Sequence, residues 1–112
     1  MTNKESRFDG PVAEPFRLDT LLEYQSSAIV SRTLIDAGDT TMTVFALEEG
    51  QRISEHSAPH DALVQVIDGT GCVEIDGEPY ALDTGESIVF PANVPHAVEA
   101  EESFKMLLTM VR

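Results

Sequence analysis

Turn-forming residues punctuate this chain so often that short β-strands are almost the only regular structure that fits between them. From Ser27 onward, breaks at 36–40, 48–50, 57–59, 68–71, 76–77, 84–85 and 91–95 separate segments rich in β-branched and aromatic residues. Asp76-Gly77 is the sharpest break, because a two-residue hairpin turn wants positive φ at both central positions and this pair tolerates it. The intervening segments predict strands over 28–35, 41–47, 62–67, 72–75, 79–82, 87–90, 96–100 and 104–111, with a further short strand starting at Arg52-Ile53. Pro59 has no N–H to give to a ladder, so Ser57-Ala-Pro59 is expected to interrupt pairing. Many short strands with little helix indicate an all-β sandwich or barrel.

Alternation assigns faces. Met42, Val44 and Ala46 share one side of their strand, and Thr43, Phe45 and Leu47 the other. Both sides are largely apolar, so something outside the barrel is expected to cover the outer one, a partner subunit being one candidate. Phe104, Met106, Leu108 and Met110 share a face of the last strand. Met42, Met106 and Met110 read as packing. Gln65 lies opposite Ala62 and Val64 in its strand and is expected to face outward, toward a subunit interface. Tyr80 suits either a pocket or an interface.

Residues 1–17 are polar, carry Gly10, Pro11 and Pro15, and read as a flexible or loosely docked arm before a domain over 18–112. Asp19 or Thr20 is placed to cap a helical turn through Glu23, with Leu18, Leu21 and Leu22 on one side. At 112 residues the chain suffices for one domain with a core that needs no disulfide or metal staple. Cys72 is its single cysteine and reads as a small packed hydrophobe. Twenty acidic against seven basic side chains give a formal charge of −13, which argues against nucleic acid and anionic membrane as partners. No apolar run approaches a signal-peptide core or a membrane span, so a cytoplasmic location is expected.

The three histidines all fall between Gly50 and Glu99. One segment there reads Gly85, five residues, Pro91, one residue, Asn93, two residues, His96. An earlier one reads Gly50, five residues, His56, and ends at Gly69. These resemble the paired motifs of the cupins, G-x5-H-x-H-x3,4-E-x6-G and G-x5-P-x-G-x2-H-x3-N. Asn93 stands for the second glycine of the later motif, and Ala100 for its final asparagine. The resemblance implies a small single-domain cupin of the RmlC-like superfamily, a double-stranded β-helix or jelly-roll barrel.

It also implies a metal centre of three His and one Glu. His56 matches the first ligand and His96 the last, whereas Ala58 and Ala62 occupy the positions of the second His and the Glu. His60, two residues past the expected second His, is the candidate to replace it, because the Pro59 kink disturbs alternation. His56, His60 and His96 are thus the expected metal ligands, for one divalent ion of Fe, Ni, Cu, Mn or Zn. Asp61 reads as a turn residue rather than a ligand. Two functions follow: a metal-binding cupin that holds or transforms a small organic molecule, with dioxygenase or isomerase activity if an enzyme, or a non-enzymatic, metal-free ligand-binding or sensor cupin acting as a dimer. A homodimer is expected in either case, through residues 27–47.

Overall fold

The computed structural model describes residues 7–112, and in it each turn of the sequence separates the strands it was expected to separate. The strands are β1 (Ile29–Asp36), β2 (Thr40–Leu47), β3 (Arg52–His56), β4 (Asp61–Asp68), β5 (Gly71–Ile75), β6 (Glu78–Leu82), β7 (Ser87–Phe90), β8 (His96–Glu99) and β9 (Phe104–Val111). They form two antiparallel sheets, one ordered β1-β2-β9-β4-β7 and the other β3-β8-β5-β6. Asp76 and Gly77 take φ of 52° and 84°, the pair of left-handed residues that their turn requires.

The inner faces follow period two. Ala62, Val64 and Val66 of β4 point inward with Met106 and Phe104 of β9, and meet Val73 and Val98 from the other sheet. Phe104 is fully buried at one end of the barrel, and two glycines admit it. A Cβ on Gly69 would stand 2.6 Å from the Ser103 carbonyl oxygen, and one on Gly71 would overlap the Phe104 ring.

Outside the five-stranded sheet lies a second cluster, Leu34, Val44 and Leu107. Phe8, Leu18, Leu21 and Leu22 pack against it. The outer cover expected over β2 therefore comes in part from the chain's own N-terminal segment. Met42 belongs to this outer cluster, not to the barrel interior.

The arm was expected to be flexible or loosely docked. Residues 1–6 lie outside the described residues, but Asp9 N donates to Leu34 O at 2.7 Å and Phe8 bridges to Ile35, so the arm is docked on β1 there. Burial of leucine and phenylalanine side chains outweighs the polar, proline-bearing character of the segment. The helical turn is shorter than expected, a single 3-10 turn over Leu18–Thr20. Asp19 and Thr20 do not cap it. The Asp19 carboxylate is held by Arg17 at 2.8 Å, and Thr20 Oγ1 donates to Arg17 O.

A polar clasp fixes the following residues. Tyr24 Oη donates to Asp68 at 2.6 Å, and Lys105 Nζ donates to Asp19 O at 2.6 Å while standing 4.9 Å from the Tyr24 ring centre. Lys105 is buried, so this carbonyl and this ring replace much of its water. Among the described residues no helix is long and apolar enough to cross a membrane.

Candidate metal and ligand site

One irregularity in the β3–β8 ladder sets the site. Ile53 pairs with Val98 and His56 with His96, so Ser54 and Glu55 together oppose Ala97 alone. Strict alternation from the inward Ile53 would turn Glu55 inward and His56 out. The extra residue shifts the phase and puts His56 on the inner face, the re-aiming that β-bulges perform. Alternation then holds through the connection: His56, Ala58, His60 and Ala62 all line one cavity. Pro59 does not break this sequence of inward positions, although it ends the pairing of β3.

Two loops meet at the mouth. Asn93 N donates to Ala58 O at 2.7 Å, and Ala92 N donates to the Asp61 carboxylate at 2.8 Å. Asp61 is thus a loop tie. Asn93 has φ of 64°, a left-handed conformation that asparagine tolerates better than most non-glycine residues, which explains how it serves where the cupin motif has glycine.

The two motif histidines are neighbours. Their ring centres are 4.4 Å apart at 70°, and the His96 ring stacks on Phe90 at 4.3 Å. His96 Nδ1 donates to Val94 O at 3.0 Å, and His56 Nδ1 donates to Ser54 O at 2.9 Å. Each neutral ring then keeps its proton on Nδ1 and offers the Nε2 lone pair, the tautomer a metal-ligating or hydrogen-bond-accepting histidine needs. Burial pushes the His96 pKa down; the Val94 hydrogen bond offsets this in part, and nearby His56 adds to the lowering. His96 is therefore uncharged at neutral pH.

His60 lines the same cavity from the β3–β4 loop. The donor chemistry suits a transition metal, since neutral imidazoles are borderline ligands. Among the described residues, however, no three His, Cys, Asp or Glu side chains are already grouped to hold an ion. His56 and His96 are brought together, and His60 shares their cavity without completing such a group.

The remaining wall is apolar, with Phe45, Ile53, Phe90, Val98, Met106, Leu108 and Met110 enclosing about 140 Å³. Met106 and Met110, expected as packing, also face this space. Sequence reasoning missed Phe90, Val94 and Ser54; the last two act through backbone carbonyls, which no residue type announces.

Other singled-out residues lie elsewhere. Gln65 pairs with Ser87 and Leu107 on the outer face of the five-stranded sheet, as alternation required. Tyr80 is exposed. The Cys72 thiol is held above its ordinary pKa, chiefly by burial and then by Glu101, Glu99 and Glu74, so it is a poor nucleophile at neutral pH.

A family model described as Cupin domain matches residues 43–112. A conserved protein of unknown function from Streptococcus pyogenes, SPY1581, is 38% identical in sequence, with a TM-score of 0.91 over 96% of this chain and 95% of its own. A cupin 2 conserved barrel domain protein from Leptotrichia buccalis is 48% identical, with a TM-score of 0.85 over 87% of this chain and 47% of that one. Protein SchB of Streptomyces halstedii is 34% identical over 70 residues, 62% of this chain. The chain spans about half the length of that curated relative, 51%.

Proposed function

The chain belongs to the cupin family, and from that premise we propose that its barrel binds one divalent transition metal ion through His56, His60 and His96, beside a pocket for a small organic molecule. The observation that carries the reading is the histidine pair: His56 and His96 face each other across one rung, each with Nδ1 committed to a backbone carbonyl. Bound there, an ion of Fe, Ni, Cu, Mn or Zn supplies Lewis-acid or redox chemistry at its open positions. The chain's own contribution is to hold both Nε2 atoms toward the cavity, keep His96 neutral, and exclude water with the apolar wall. Turnover, if it occurs, is of the dioxygenase or isomerase kind.

The reading includes a division into an arm over 1–17 and a cupin domain over 18–112, a cytoplasmic location, and a homodimer formed through 27–47. The edge of β1 supports the dimer. β1 stands at the edge of its sheet, where the described N-terminal residues meet it through the Phe8–Ile35 bridge and the Asp9 N to Leu34 O bond, and a sheet edge is a template for pairing with a second copy. A monomer by light scattering at working concentrations rejects the dimer.

A second reading, a metal-free ligand-binding or sensor cupin, is favoured by Ala58 and Ala62 on the cavity wall, where neither ligates. Elemental analysis separates the two. About one equivalent of metal in protein purified without chelator, lost in His96→Ala, is the expected result. No metal in wild type even after reconstitution refutes the metal reading.

A further inference from the structure

The cavity grades from polar to apolar along its depth. His56 and His96 form the rung nearest the mouth, and Ile53 and Val98 the next. On the facing sheet, Met110 stands opposite Ala62 at the rim, Leu108 follows, and Met106 beside Phe45 lies deeper. Among the described residues, no acidic, lysine, arginine or hydroxyl-bearing side chain lines the space. Its volume, about 140 Å³, is close to the roughly 150 Å³ of a dry apolar cavity that takes up benzene. Ala58 and Ala62 help to create this character, presenting only methyl groups where the family motif places an imidazole and a carboxylate.

From this grading we infer that the ligand is a single-ring-sized apolar molecule carrying one donor atom at the rim and no second polar substituent, as in a monohydric phenol. The inference rests on the small-molecule pocket proposed above and names the class it takes. The donor atom meets the histidines or an ion they hold. The ring lies against Val98, Leu108 and Met106. A carboxylate or hydroxyl at the far end of the ring would be buried among side chains that neither donate nor accept, and an unpaired buried polar group is heavily penalised. A polyol fails for the same reason at several positions.

The test is titration calorimetry of the full chain with phenol, 4-hydroxybenzoate and glucose, once after dialysis against chelator and once after reloading with Zn²⁺. Phenol is expected to bind saturably in at least one form, with 4-hydroxybenzoate at least tenfold weaker and glucose showing no saturation. Equal affinity for 4-hydroxybenzoate, saturable glucose binding, or no phenol binding in either form overturns the inference. Metal content is read separately. Phenol binding by a protein that takes up no metal removes the metal reading and leaves the ligand class standing. A metal-loaded protein without the phenol preference does the reverse.

Discussion

Replacing Ala62 by leucine tests whether the cavity is real, because it predicts a gain in stability from a change that would ordinarily harm a buried strand. Ala62 is 7% exposed, pairs with Phe90 and Met110, and directs its methyl group into open space. Leucine adds three carbons there. At ~0.8 kcal/mol per buried methylene the gain approaches ~2.4 kcal/mol. Fixing the longer side chain returns ~0.5–1 kcal/mol of rotamer entropy. A net stabilisation of about 1.5–2 kcal/mol is expected. At ~4 °C per kcal/mol for a domain near this size, Tm rises by about 6–8 °C.

Ala100→Leu is the control. Ala100 is fully buried in the core cluster and does not line the cavity, so the same addition overpacks and costs about 1–3 kcal/mol. The assay is urea unfolding of both variants in metal-free protein, with the thermal midpoint as a second reading and the m-value required to stay constant. Destabilisation of Ala62→Leu by as much as Ala100→Leu refutes the reasoning, since the two sites would then be equally filled. A pocket kept open at a cost in stability is the usual signature of a functional site.

Three further outcomes follow from the structure. The lowered His96 pKa means that the unfolded chain binds more protons than the folded one below about pH 6.5, so stability is fully present above that pH and is lost as pH falls toward the folded value; urea midpoints between pH 5 and 8 should show this fall in wild type and a smaller one in His96→Gln. Tyr24→Phe removes the hydroxyl that donates to Asp68 and should cost about 1 kcal/mol while speeding proteolysis N-terminal to β1; unchanged cleavage would show that the clasp does not hold the segment down. Asn93→Gly should stay within about 0.5 kcal/mol of wild type, whereas Asn93→Val, forced to a φ of 64°, should lose about 1–2 kcal/mol by urea unfolding.

The strands were legible because their breaks are chemical: Asp76-Gly77, Gly85 and the prolines of 91–95 each impose a local conformation that tertiary packing does not override. Inward and outward faces of β4 and β9 were legible for a similar reason, since one register satisfies their apolar alternation. The arm was not. Leu18, Leu21 and Leu22 showed a common side, but Phe8 stands apart from them in the sequence, and what they dock on is an outer surface that only the assembled sheet creates. The candidate ligands could be picked out through the resemblance to the cupin motifs, but the phase that aims His56 inward could not. Ile53-Ser-Glu-His56 contains no glycine or proline to mark a bulge. Nor does anything in Ala58 and Ala62 distinguish a lost ligand from the wall of a pocket, until the strands place both beside the same space.

That bulge makes the site a matter of parity. His56, Ala58, His60 and Ala62 all sit on even steps counted from one extra residue in β3, so the identity of each can change singly while their common direction cannot. Deleting Ser54 or Glu55 would leave every one of those side chains chemically intact. It would also remove the bulge without turning His56 away: Ile53 would stay opposite Val98, one residue would stand opposite Ala97, and the histidine would keep its place opposite His96. The bulge is therefore needed only at the present length of β3: a strand one residue shorter would make the same histidine rung by plain alternation, whereas an unbulged strand of the present length would turn His56 out and silence the barrel with every ligand still in the sequence.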